Sequence, residues 1–227
     1  MTTKIIKGKP VEAVVFDAYG TIFDVHAAVM KCAVELGALA RPLSELWRSK
    51  QLEYTWIRSL SNRYASFWQL TETSLDYALA TIAPDHLALR DAILEAYRDL
   101  DAYGDAASAL LALRSTGLKT AILSNGDTNM LERAVTSEHL DGLFDALLSV
   151  ETVGIFKTDP AAYRLVEQNM GVTPSATAFV SSNRWDIAGA NVAGFHCIWL
   201  NRLRRADEYV DMAPAAIIQT LGDLLEA

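Results

Sequence analysis

Along the chain, short apolar runs end on a small or polar residue and are followed by stretches in which apolar residues recur at helical spacing. Strands of a parallel sheet covered on both faces read this way. The runs are 11–16, 120–123 ending at Ser124, 146–150, 178–180 ending at Ser181, and 197–200 ending at Asn201, with a weak sixth at Ile217 and Ile218. Helical stretches between them carry start and stop signals: 106–116 before Gly117, 128–139, 159–170 opening on Asp159-Pro160 and closing before Gly171, and 186–193 before Gly194. Repeated strand, helix, strand predicts an α/β fold with right-handed crossovers. The stretch 25–101 differs, with helical periodicity, no strand pattern and three tryptophans, Trp47, Trp56 and Trp68. It reads as a helical insertion after the first strand, returning through Ala102-Tyr103-Gly104-Asp105. The expected division is a core of 1–24 and 105–227 and an inserted cap of 25–104. Such an insertion stands over the strand ends where α/β sheets bind ligands.

Composition narrows the classes. With 227 residues, 51% apolar and 21% charged, the chain has the makings of a sizeable core, which excludes a disordered or low-complexity protein. A net charge of −8 without a basic block argues against a nucleic-acid or anionic-membrane surface, so an anionic ligand would need local cations. Cys32 and Cys197 could form at most one bridge, and no metal-type spacing surrounds them. No run approaches the roughly 20 apolar residues of a membrane span, and the first apolar run is too short for a signal peptide. The expectation is a soluble cytoplasmic protein.

Candidate chemistry begins at Asp17, which ends the first strand and is followed by Ala18-Tyr19-Gly20-Thr21. A carboxylate there, before a glycine-containing turn that aims backbone N–H groups at a ligand, suits a nucleophile or a metal ligand; a turn-capping aspartate has the same position. Asp17, Gly20 and Thr21, then Ser124 with Asn125-Gly126, then Lys157, then Asp186 follow in the order of the four motifs of the haloacid dehalogenase superfamily, which the chain resembles. That resemblance implies a Rossmann-like parallel sheet with a cap domain and a covalent intermediate on the first aspartate. Phosphatase members carry a second acid two positions after the nucleophile and a Gly-Asp-x-x-x-Asp motif. Here the positions hold Tyr19 and Ser181-Ser182-Asn183-Arg184-Trp185-Asp186, so the carboxylates a magnesium ion would want are missing. These departures, together with Leu46-Trp47-Arg48-x-Lys50-Gln51-Leu52-Glu53-Tyr54-Thr55-Trp56, resemble the L-2-haloacid dehalogenase family over nearly the whole chain. One difference is Lys157-Thr158 where relatives commonly have Lys-Pro.

The resemblance implies that Asp17 displaces halide from C2 of a short 2-haloalkanoate with inversion and that water then cleaves the aspartyl ester. A carboxylate stripped of water and held by fixed dipoles is the better nucleophile. Arg48 would hold the departing halide, with Asn125 as a second donor; read alone, Arg48 also fits a surface ion pair with Glu45 or Glu53. Ser124 and the backbone N–H groups of Ala18 and Tyr19 would take the substrate carboxylate, although a serine before Asn-Gly is also a turn former. Thr21 would hold the nucleophile, and Lys157 would neutralise Asp17, Asp186 and the substrate anion. Asp186, oriented by Ser181, Asn183 and Lys157, is the candidate base for water, with a helix N-cap as its other reading. Tyr163 fits a tyrosine that hydrogen-bonds within the site, or packing alone. Trp185, Phe67 and Leu52 are candidates for the alkyl pocket, Lys50 is structural, and the four histidines have no assigned role. The resemblance implies no cofactor and no metal ion, and a homodimer, for which a cap face with Leu60, Trp68 and Leu75 is the candidate interface. Two other functions remain open: a magnesium-dependent small-molecule phosphatase, and a catalytically silent protein that binds an organic acid.

Overall fold

The computed structural model describes residues 2–225. It opens with an antiparallel hairpin, β1 (Lys4–Ile6) and β2 (Lys9–Val11), which the strand pattern does not predict. Lys7 and Gly8 both take left-handed backbone, φ 43° and 83°, the conformation a two-residue hairpin turn requires. The expected run 11–16 is therefore divided: Val11 closes β2, and β3 is Ala13–Phe16.

The main sheet follows the apolar runs. Its strands are β3, β4 (Lys119–Ser124), β5 (Ala146–Ser149), β6 (Thr177–Ser181), β7 (His196–Leu200) and β8 (Ala216–Ile218). They stand in the order β5-β4-β3-β6-β7-β8 with every pairing parallel. The chain moves from β3 to β4 and β5 on one side, then crosses to β6, β7 and β8 on the other. The reversal lies between β3 and β6, and crevices of this kind bind ligands at the strands' carboxyl ends. Side chains alternate along β3: Val14 and Phe16 enter one apolar cluster, Ala13 and Val15 the other. Both faces are covered, which is why these strands read as continuous apolar runs.

Four helices connect the strands after β3: α6 (Ala106–Ser115), α7 (Thr128–Ser137), α8 (Pro160–Met170) and α9 (Arg184–Val192). α8 shows the cleanest local signals, with Asp159 accepting from Ala161 N–H at 2.7 Å, Pro160 in the first turn and Gly171 left-handed at its end. Between β3 and α6 lie α1 (Ala27–Met30), α2 (Ala33–Leu36), α3 (Ala40–Leu60), α4 (Phe67–Ile82) and α5 (Arg90–Arg98). Leu43, Trp47, Gln51 and Thr55 form the buried stripe of α3, one residue per turn. A capping box of Ser66 and Gln69 starts α4. The two crossings into this helical segment run side by side, with Asp24 N–H bonded to Asp101 O and Tyr103 N–H to Ile22 O, both 2.9 Å. Arg202 fastens the return crossing by a two-bond pair with Asp105, at 2.8 and 2.9 Å, and by a bond to Thr21 O at 3.2 Å.

Among the described residues no helix is long and apolar enough to cross a membrane. The expected apolar cap face is not continuous. Leu60 is exposed, but Leu75 is in the core and Trp68 lies under the Arg98 guanidinium, 3.7 Å from the ring centre.

Candidate active site

Four strand ends meet at one place. Asp17 follows β3, Ser124 ends β4, Lys157 comes from the loop after β5, Ser181 ends β6, and Asn183 and Asp186 follow it. Asp17, Ser124, Lys157, Ser181 and Asp186 are all buried. Lys157 Nζ lies between two carboxylates, 3.1 Å from Asp17 Oδ1 and 2.9 Å from Asp186 Oδ2. The other Asp17 oxygen, Oδ2, accepts from Asn183 Nδ2 at 2.7 Å, Thr21 Oγ1 at 3.1 Å and Ser181 Oγ at 3.5 Å. Three neutral donors and one cation thus hold a charge that burial alone would disfavour.

Asp186 Oδ1 accepts from the Tyr163 hydroxyl at 2.8 Å. Burial pushes the Asp186 carboxyl up to about 6, with Lys157 pulling in the opposite direction. Burial favours a neutral Lys157, but Asp17 and Asp186 outweigh it and hold the ammonium above its ordinary range. Burial and the Asp186 charge raise Tyr163 well above the usual phenol value, so it stays a donor. α9 packs close enough here that a side chain at Gly189 would be 2.4 Å from the Tyr163 hydroxyl and 2.9 Å from Thr158 Cβ. Gly189 is what lets Tyr163 reach Asp186.

Two sequence expectations change. Ser181 and Asn183 do not orient Asp186: both side chains point at Asp17 Oδ2, and Asp186 is set by Tyr163 and Lys157. Nor is Asp186 a helix N-cap, since Asn183 occupies that position of α9 and gives its side chain to Asp17 instead of to its own helix.

Arg48 is also resolved. Glu45 pairs with Arg41 and Glu53 with Lys50, so the surface reading of Arg48 fails. Its Nη1 donates to Gln51 Oε1 at 2.7 Å and its Nη2 to Tyr19 O at 3.1 Å. Gln51 is buried and donates in turn to Thr71 Oγ1 at 2.7 Å and the Tyr97 hydroxyl at 3.1 Å. Tyr97 stacks on Tyr19, with ring centres 5.8 Å apart and 4° between planes. In the sequence Gln51 stands out only as part of a motif; its spacing, one turn from Trp47 and one from Thr55 on the buried stripe, is the signal for a structural polar role.

Asp17, Tyr19, Arg48, Leu52, Phe67, Ser124, Asn125 and Trp185 line a small cavity of about 10 Å³, room for one water molecule. Ser124 Oγ accepts from Gly126 N–H at 3.0 Å, which leaves its O–H to turn toward that space. Asn125 Oδ1 accepts from Lys157 N–H at 3.0 Å, joining the β4 loop to the lysine loop. Ala18 is buried beside Asp17, and its carbonyl takes the N–H groups of Thr21, Ile22 and Phe23, which shapes the turn. Trp185 meets Trp56 of α3 edge-on at 5.9 Å between ring centres. A larger shallow depression of about 430 Å³ is lined by Asp99, Asn129, Glu132, Arg133, Thr136 and Ser137 and shares no residue with this cavity.

Comparison with known proteins places this geometry. The family described as haloacid dehalogenase-like hydrolase matches residues 11–194. The chain is 46% identical over 201 residues to (S)-2-haloacid dehalogenase 1 of Pseudomonas sp. (strain CBS-3), covering 88% of each chain. It is 47% identical over 203 residues to (S)-2-haloacid dehalogenase 4A of Burkholderia cepacia, covering 89% of this chain and 87% of that one. The structure of L-2-haloacid dehalogenase from Xanthobacter autotrophicus with chloropropionic acid covalently bound superposes with a TM-score of 0.87 at 38% identity, over 94% of this chain and 96% of that one. A buried strand-end aspartate, its lysine and its cap arginine thus sit in a fold shared over nearly the whole chain, and the protein belongs to the haloacid dehalogenase-like hydrolases, among the (S)-2-haloacid dehalogenases.

Proposed function

We propose that this protein hydrolyses short L-2-haloalkanoic acids to D-2-hydroxyalkanoic acids and halide through an ester on Asp17. The observation that carries the reading is the Asp17 carboxylate itself, buried at the edge of a small cavity, with Oδ2 held by Asn183 and Thr21 and Oδ1, among the described residues, hydrogen-bonded by Lys157 alone. Oδ1 is the freer oxygen to attack. It forms a bond to C2 as the carbon–halogen bond breaks, and the electron pair leaves with the halide. Arg48, with Asn125, receives that developing charge, while Ser124 and the N–H groups of Ala18 and Tyr19 hold the substrate carboxylate. Trp185, Phe67 and Leu52 surround the alkyl group and exclude water.

Water then attacks the carboxyl carbon of the ester. Asp186 takes its proton and returns it to the departing alkoxide oxygen as the acyl–oxygen bond breaks, which releases the 2-hydroxyacid; the remaining proton leaves to solvent and restores the Asp17 carboxylate. A base near neutrality is best matched to such a transfer, and burial moves Asp186 in that direction. Tyr163 and Lys157 orient Asp186, and Ser181 and Asn183 steady Asp17. The cation between the two carboxylates is the Lys157 ammonium, so no step requires a metal ion or cofactor.

The relatives' names support the substrate class, and the covalently bound chloropropionic acid of one relative supports the ester. The test is halide release from L-2-chloropropanoate in the presence of chelator. Wild type releases chloride and the D-hydroxyacid, and Asp17→Asn releases none; a folded wild type that releases no halide ends this reading.

We take residues 25–104 as the cap and 1–24 with 105–227 as the core, on the paired crossings at Asp24 and Tyr103. A cytoplasmic homodimer completes the reading. Exposed Trp56, Ile57 and Leu60 on α3 replace the cap face expected from sequence as its contact, and light scattering tests it.

A further inference from the structure

Asp127 begins α7 as its N-cap residue, yet its side chain makes no hydrogen bond to α7. The Thr128 N–H of that helix is taken by Glu151 Oε2 at 3.0 Å. The Asp127 carboxylate instead reaches the inserted helices. Its Oδ1 accepts from Phe67 N–H and its Oδ2 from Trp68 N–H, each at 2.8 Å. These residues open α4, and first-turn N–H groups have no acceptor within their own helix and carry the positive end of its dipole. A core carboxylate therefore fills the place that a ligand or a local side chain would otherwise take. Only 8% of Asp127 is exposed.

One end of this contact is a cavity wall, and the other lies two residues beyond the cavity residue Asn125. Phe67 is one of its walls and packs 5.7 Å from Tyr19 and 6.3 Å from Phe156, centre to centre. Asp127 closes the loop that carries Ser124 and Asn125. Phe67 is held over the cavity by α4, and the first turn of α4 is held by Asp127, so this contact sets how the Phe67 wall stands over a bound 2-haloalkanoate. Burial raises the Asp127 carboxyl above its ordinary value in spite of both N–H bonds, which pull it down.

We propose that Asp127 is a positioning residue that latches α4 over the cavity, so that the Asp127 to Phe67 and Trp68 contact sets how much of the enzyme is closed and how tightly it holds the haloacid. This rests on the dehalogenase reading above. A ligand that needs the closed form has its apparent affinity reduced by the closed fraction, so weakening the latch raises KM more than it lowers kcat.

The experiment measures halide release from L-2-chloropropanoate for wild type, Asp127→Asn and Asp127→Ala, with thermal unfolding of each. Asn keeps one carbonyl acceptor and turns an amide donor toward the second N–H. The expected result is a KM about tenfold higher for Asp127→Ala, kcat within about threefold of wild type, and Asp127→Asn between the two. If Asp127→Ala does not fold, a rise in KM of about threefold or more for Asp127→Asn carries the proposal. An unchanged KM overturns it, whether kcat, Tm or neither has fallen, because a merely structural contact lowers stability without loosening substrate. Wild type without halide release would instead refute the dehalogenase reading, which separates the two failures.

Discussion

Asp186→Asn separates the two chemical steps. The change is isosteric and removes a buried charge whose oxygens meet Tyr163 at 2.8 Å and Lys157 at 2.9 Å. An amide can keep its oxygen on Lys157 and turn its NH2 to the Tyr163 oxygen, whose O–H still reaches the residue 186 carbonyl at 3.1 Å, so the loss is that of the charged acceptor on Lys157, about 1–3 kcal/mol of stability. Lys157 keeps Asp17 as its remaining carboxylate partner, which leaves the nucleophile paired. Attack of Asp17 on C2 needs no proton transfer and therefore survives. Hydrolysis of the ester loses its base, and such a base contributes about 10²–10⁴ in rate. Mixed rapidly with L-2-chloropropanoate, the variant should release about one chloride per active site and then turn over about a thousandfold more slowly than wild type. The ester should be found by mass on the peptide containing Asp17. Steady turnover within about tenfold of wild type would show that Asp186 is not the base, and absence of the burst would show that it serves the first step.

Three further outcomes follow from particular contacts. The Asp186 carboxyl is raised from 3.8 to about 6 in the folded protein, so the native state holds a proton that the unfolded chain releases. Its contribution to stability is full below about pH 4 and fades as pH rises through about 6, whereas turnover rises through about 6 as the base ionises; Asp186→Asn should lose this slope in Tm, and a wild-type turnover flat from pH 5 to 7 would contradict it. Gly189→Ala gains about 1 kcal/mol of helix propensity, but its methyl would meet the Tyr163 hydroxyl at 2.4 Å, and overpacking of about 1–3 kcal/mol prevails. Its expected signature is a fall in turnover like that of Tyr163→Phe, read by halide release. Gln51→Leu removes the acceptor of Arg48 Nη1 and the amide donor from which Thr71 Oγ1 and the Tyr97 hydroxyl accept. It should lower kcat/KM about tenfold or more, with a larger loss for 2-chloro- than 2-bromopropanoate, because the poorer leaving group depends more on Arg48.

The sheet was legible because a strand buried on both faces must be apolar at successive positions, as at Val14-Val15-Phe16 and Ala178-Phe179-Val180. Asp159-Pro160 and Gly171 bounded α8 because capping and a left-handed end are local requirements. The hairpin 4–11 escaped because three-residue strands joined by Lys7-Gly8 are too short for a period to show. In the site, the residues and the contacts of Lys157 and Thr21 with Asp17 were recognisable from motif order, but other pairings were not. Ser181 and Asn183 turned out to serve Asp17, and Arg48 rests on Gln51 and Tyr19 instead of a glutamate.

Asn183 and Asp127 show where sequence stops. Each stands at a helix N-cap, where local rules assign the side chain to its own first turn, and each bonds elsewhere, one to the nucleophile and the other to α4. The sequence by itself determined the parallel sheet, the place of the helical insertion and the chemical types gathered at the strand ends, because burial, period and capping act over a few residues. Only the tertiary structure decided which donor meets which carboxylate and how closely α4 covers the cavity, because those contacts join loops from different strands whose separation in the chain says nothing about their separation in space.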